Sequence, residues 1–229
     1  MKGFFAGAVF SCCLTLGYMY LVDKSNVSPQ YYFVESTHAF YKRQDGQLSQ
    51  KSVLFIGDSM IQGLAVSEVY PDSINFGIGT DTIEGVDRRI DEYQVVGNID
   101  CLVIHVGVND LLFGQSPVSA INDMYALLSG LDNLPRVFVG ELLPVKKVKP
   151  KLEHVAPKIL EFNTLLAFEI EKFSNVTLIK QHDVFLNEDG NARKSDYVND
   201  GLHLSTKGNL KWAKHIKSQL LLNNCKTDT

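Results

Sequence analysis

The sequence predicts an α/β domain built on a parallel sheet and carried behind an apolar amino-terminal segment. Three observations point there: five short β-branched runs between residues 52 and 180, helical periodicity in the segments that separate them, and 20 consecutive uncharged positions at residues 3–22. With 229 residues, 45% apolar and 21% charged side chains, the chain is long enough for an ordinary core and too apolar to remain unfolded. A net charge of -4 and a pI near 5.9 argue against a general nucleic-acid binder, which carries a basic face.

Residues 3–22 (GFFAGAVFSCCLTLGYMYLV) would span roughly 30 Å of hydrocarbon as a helix rising about 1.5 Å per residue. An uncleaved transmembrane anchor over residues 1–24 is favoured over a cleaved signal peptide, because the apolar stretch is long and LVDKSNVS follows it instead of a small-x-small cleavage site. A lipid-modified Cys12 is the third reading. Lys2 and the amino terminus favour an inward amino end, which leaves the remainder of the chain outside the membrane. Residues 25–50, polar and aromatic, predict a linker and a first helix lying on the domain that occupies residues 51–225.

The runs at 52–57 (SVLFIG), 73–77 (SINFG), 101–107 (CLVIHVG), 136–140 (RVFVG) and 176–180 (VTLIK) are each short enough to be a strand buried on both faces. Between them, Ile83, Val86, Ile90 and Tyr93 recur at helical spacing, as do Ile159, Phe162, Leu166, Ile170 and Phe173, and a last helix is expected from Ser205 to about Leu222. Alternation of this kind covers both faces of a parallel sheet and places binding sites at the carboxyl ends of the strands. Of the four cysteines, Cys12 and Cys13 fall in the apolar segment; Cys101 reads as a buried thiol and Cys225 as an exposed one, since no spacing suggests a metal site or a disulfide framework.

Four short motifs sit at the predicted strand ends or before the last helix. FIGDSMIQG places Ser59 directly after a strand, where most serines only cap the next helix. The nucleophile elbow G-x-S-x-G is not met, because Ile61 stands at its second glycine, so the common α/β-hydrolase fold is not expected. In NDGLHLS, Asp200 and His203 are spaced so that the carboxylate can fold back onto Nδ1 of the imidazole and leave Nε2 free for a hydroxyl; alone, the pair is more often a turn and a surface side chain. HVGVND ends a strand with Asn109, whose amide is suited to donate to an oxyanion, and NFGIGTD ends another with two glycines that let backbone approach a ligand.

Taken in order, GDS, GIGTD, GVND and DGLH resemble the four blocks of the SGNH (GDSL-type) hydrolases over roughly residues 52–222, and NFGIG is similar to the small members related to platelet-activating-factor acetylhydrolase and the bacterial lysophospholipase/thioesterase. The resemblance implies a three-layer α/β/α, flavodoxin-like domain with a parallel five-stranded sheet. It implies Ser59 as nucleophile, His203 as base, Asp200 as its orienter, and an oxyanion hole formed by the Ser59 N–H, the Asn109 amide and one further backbone N–H. In the family that last donor is a glycine directly before the aspartate. Here Thr80 stands there with Gly79 one place earlier, and threonine suits the position only if its φ is negative.

The activity so implied is that of a membrane-tethered, outward-facing serine esterase acting on O-acetyl groups of envelope glycans or on acyl chains of lipids, without metal or cofactor. Acyl transfer to a sugar hydroxyl would use the same residues, and a non-catalytic carbohydrate- or lipid-binding module is the alternative from another class. The run PVKKVKPK is read as a solvated loop, and His105 and His182, which lack ligand-spaced companions, as structural.

Overall fold

The computed structural model describes residues 28–49 and 51–225. Its framework is one sheet of five parallel strands: β1 (Lys51–Gly57), β2 (Ser73–Gly77), β3 (Ile99–His105), β4 (Val137–Gly140) and β5 (Val176–Ile179), in the spatial order β2-β1-β3-β4-β5. The reversal of strand order lies at β1 and β3, where chain connections leave in opposite directions and open a crevice at the carboxyl ends. Register sets those ends level, with Gly57 opposite Gly77 on one side and His105 on the other.

Alternate strand residues feed two cores. Leu54, Ile56, Leu102, Ile104, Val137 and Val139 pack on one face with α3 (Ile83–Ile90), α5 (Pro117–Ser129) and α6 (Pro150–Ile170). Val53, Phe55, Cys101, Val103 and Phe138 pack on the other with the short α2 (Ser59–Gln62) and with Trp212, Ile216 and Leu220 of α7 (Thr206–Leu222). Ser205 caps the last helix, its side chain accepting the Gly208 N–H, so the helix begins one residue later than the sequence suggests. The pattern around Ile159 belongs to a helix that begins at Pro150, where proline at the first position needs no donor.

The amino-terminal helix α1 (Pro29–Asp45) lies against the β2 side of the domain. Tyr41 stacks on Phe76 at 4.9 Å and donates to the Gly77 carbonyl at 2.9 Å, while buried Asp45 accepts the backbone N–H groups of Gln94 and Val95. The transmembrane reading of residues 3–22 lies outside the described residues; among the latter, no helix is long and apolar enough to cross a membrane.

The cysteine reading needs correction. Cys101 and Cys225 are both buried and form a disulfide. Cys101 points from β3 into the core beneath α7, and the chain turns back after that helix, with the Cys225 N–H donating to Leu220 O at 2.9 Å, so the two meet although 124 positions separate them. No local spacing could announce a bridge made by tertiary packing. Closing a loop of that length removes about 5 kcal/mol of freedom from the unfolded chain in the entropic model.

Candidate active site

Ser59 is the first residue of α2, directly beyond the carboxyl end of β1. Gly57 makes the abrupt exit possible: a Cβ there would lie 2.0 Å from the His105 carbonyl oxygen. Asp58 caps α2, its Oδ1 accepting the Met60 N–H at 2.9 Å, so the capping role is taken by the neighbour and the Ser59 hydroxyl is left for other partners. Burial drives the Asp58 carboxyl up to about 7, and its Oδ2 has no hydrogen-bond partner among the described residues.

The Ser59 Oγ lies 2.8 Å from Nε2 of His203, whose Nδ1 lies 2.7 Å from Oδ2 of Asp200. The other Asp200 oxygen accepts the N–H groups of Leu202 and His203 at 2.9 and 3.0 Å. Against the upward push of burial, the imidazole contact and these two donors hold the Asp200 carboxyl below its usual range. The loop that presents His203 leans on the lysine run: the Lys146 N–H donates to Gly201 O at 2.8 Å, and a Cβ on Gly201, at φ 81°, would meet Val148 at 2.5 Å.

Asn109 enters from the other side, buried at the second position of α4 (Val108–Leu112). One N–H of its amide donates to Asp81 O at 2.9 Å, which orients the group and leaves the second N–H for a ligand. In the GIGTD loop the two candidate third donors differ. The Gly79 N–H is already accepted by Gln62 Oε1 at 2.9 Å, whereas the Thr80 N–H has no acceptor among the described residues. Thr80 has φ 67°, the left-handed region, so the negative φ that would suit a β-branched residue is not adopted and the loop is strained by about 1–3 kcal/mol.

What holds that strain was not visible in the sequence. Arg89 of α3, 3% exposed, donates from Nε to Asp81 Oδ2 at 2.8 Å, from Nη2 to Gly57 O at 3.2 Å and from Nη1 to the Tyr93 hydroxyl at 3.1 Å. One guanidinium therefore ties the exit of β1 to the loop after β2, and through Asp81 O to Asn109. Asp110 adds a second brace by accepting the Ile83 N–H at the start of α3; burial raises its carboxyl to about 6. His105 is fully buried edge-on to Trp212, and burial lowers its imidazole to about 4, so it is neutral. Among the described residues, no three His, Cys, Asp or Glu side chains are grouped to hold a metal.

A hydroxyl, an imidazole and a carboxylate in line can deprotonate the hydroxyl as it attacks a carbonyl and return the proton to the leaving alcohol. Such a chain of groups suits acyl transfer, and together with the family match and the acetylhydrolase relatives it makes the protein an ester hydrolase. Residues 55–211 match the model of the GDSL-like Lipase/Acylhydrolase family, and the chain belongs to that family. It is 28% identical over 181 residues to human platelet-activating factor acetylhydrolase IB subunit alpha2, covering 75% of this chain and 77% of that protein. Among solved structures it is similar to one from Streptococcus pneumonia described as a platelet activating factor (21% identity, TM-score 0.75, 92% of this chain and 99% of that one). A GDSL-like lipase from Bacteroides thetaiotaomicron has the same fold (17% identity, TM-score 0.67, 81% and 98% coverage).

Proposed function

We propose that the protein is a membrane-tethered serine esterase that cleaves O-acetyl or acyl esters of envelope glycans or lipids. Ser59 attacks the ester carbonyl, His203 takes the Ser59 proton and delivers it to the departing alcohol, Asp200 holds the imidazole, and water resolves the acyl-enzyme with His203 as base. The Ser59 and Thr80 N–H groups and the Asn109 amide receive the developing oxyanion. The observation that carries this reading is the unbroken chain of contacts from Ser59 Oγ through His203 to Asp200. Residues 1–24 form the anchor, with the domain outside the membrane; the Cys101–Cys225 disulfide supports an oxidising surrounding.

Ser59→Ala and His203→Ala should each lower kcat on a water-soluble acyl ester at least about a thousandfold with the circular dichroism spectrum unchanged. A folded Ser59→Ala protein with near-normal turnover would falsify the serine mechanism. Product analysis in the presence of a sugar acceptor separates hydrolysis from acyl transfer.

A further inference from the structure

Resting on the serine-esterase reading above, we infer that Tyr41 and Gln62 are positioning residues, which together clamp the loop after β2 so that the Thr80 N–H serves the oxyanion formed at Ser59. Tyr41 belongs to α1, and that helix lies wholly before residues 55–211, the part of the chain that matches the family. The oxyanion hole is therefore completed by an element outside the matched domain.

The Tyr41 hydroxyl donates to Gly77 O at 2.9 Å, and its ring stacks on Phe76 at 4.9 Å. Gln62, the last residue of the helix that Ser59 begins, accepts the Gly79 N–H through Oε1 at 2.9 Å. Burial raises the Tyr41 phenol above its usual range and a hydrogen bond from the Gln62 side chain opposes that push, so the two holding groups also hold each other. Phe33 of α1 closes over the junction: a Cβ on Gly79 would lie 3.0 Å from Gln62 Oε1 and 3.2 Å from Phe33 Cε1, so the loop is gripped between the two side chains.

The need for a clamp lies in Thr80. Its φ of 67° is costly for a β-branched residue, and its own Oγ1 is buried without a hydrogen-bond partner among the described residues, so its side chain does not fix the turn. A strained conformation of this kind persists only where the surroundings over-determine it. Arg89 fixes Asp81 on one side of Thr80, while Tyr41 and Gln62 fix Gly77 and Gly79 on the other. Because Gln62 takes the Gly79 N–H, the next N–H along the chain is the one left for a ligand. Gln62 also shares α2 with Ser59, which gives nucleophile and donor a common reference.

The test uses the full-length protein, with p-nitrophenyl acetate as substrate and an alkyl trifluoromethyl ketone as probe. The ketone carbonyl carbon takes Ser59 Oγ while the Ser59 proton passes to His203; with no leaving group, the charged oxygen stays in the hole. Tyr41→Phe keeps the stacking on Phe76 and removes only the hydroxyl, and Gln62→Met keeps the chain length and removes the acceptor. Each should lower kcat about tenfold and weaken ketone binding by a similar factor, with KM within about twofold and the acidic limb of the pH profile, which reports His203, unmoved. Lys42→Gln, on the same helix but paired with Glu92 at the surface, should match wild type in every respect. A folded Gln62→Met protein with wild-type kcat, with a loss confined to KM, or with lowered kcat and unchanged ketone affinity overturns the inference. Gln62 is exposed, so its replacement tests the clamp even where Tyr41→Phe fails to fold. Failure of the serine reading looks different: Ser59→Ala would then turn over p-nitrophenyl acetate as wild type does.

Discussion

Replacing Arg89 with methionine separates what the guanidinium does for folding from what it does for catalysis. The side chain is 3% exposed, and its partner Asp81 is equally buried, so deleting the cation leaves a carboxylate unpaired in the interior and also strips Gly57 O and Tyr93 of a donor. Breaking one side of a buried pair costs about 3–5 kcal/mol, a large part of the 5–15 kcal/mol that holds a typical domain together. Catalysis should suffer separately. Asp81 O orients the Asn109 amide and Asp81 follows Thr80 directly, so both candidate oxyanion donors lose their fixed reference, and a displacement near 1 Å is worth roughly 100-fold in kcat. Urea unfolding measures the first effect, and steady-state kinetics on a water-soluble ester the second, with KM nearly unchanged. The decisive comparison is Asp81→Asn/Arg89→Met, in which neither member of this pair is charged: stability should return to within about 1–2 kcal/mol of wild type while kcat stays low. If kcat recovers together with stability, the pair acts on catalysis only by keeping the domain folded.

Asn109→Ala should lower kcat about 100- to 1,000-fold with little change in KM, because a transition-state donor is removed; a change confined to KM refutes that role. Thr80→Gly keeps the free N–H and relieves a β-branched residue at φ 67°, so unfolding measurements should show a gain of about 1 kcal/mol and kcat should stay within a few-fold. The carboxyl of Asp58, raised by burial to about 7 from an unfolded value near 3.9, binds an extra proton in the native state between those values, so it lowers stability as pH rises through that window. Asp58→Asn should therefore gain up to about 4 kcal/mol relative to wild type above pH 7 and nothing near pH 4, as read from denaturation midpoints across pH. Cys101→Ala/Cys225→Ala should lose about 2–5 kcal/mol of stability yet retain activity at 25 °C, since neither sulfur approaches Ser59.

The sheet was legible because a strand buried on both faces must be an unbroken apolar run, and runs such as VLFI and LVIH admit little else. Ser59, Asn109, Asp200 and His203 were legible as candidates because they stand at the ends of those runs or just before the last helix, where turn chemistry narrows the choice of residue. Arg89 was not. Beside Arg88 in DRRI it looks like half of a solvated charged pair, and only the phase of α3 against the sheet sends one arginine inward and the other outward. Thr80 was half legible: its departure from glycine was plain, but its φ and the claim of Gln62 on the Gly79 N–H are set by how three loops meet. The disulfide escaped for the same reason, as its ends are joined by the packing of α7 on β3.

That disulfide divides the chain in a way the sheet does not. Residues 101–225 form a covalent ring holding Asn109, Asp200 and His203, while Ser59 and Thr80 belong to the open strand that precedes it. A protease cut in the exposed stretch around Asn187–Asn191 would therefore yield two pieces that remain one molecule, with the imidazole on one piece still tied through Cys225 to the strand beside the nucleophile. Under the amino-terminal tether proposed above, nicking there would release nothing from the membrane until a reductant opened the ring.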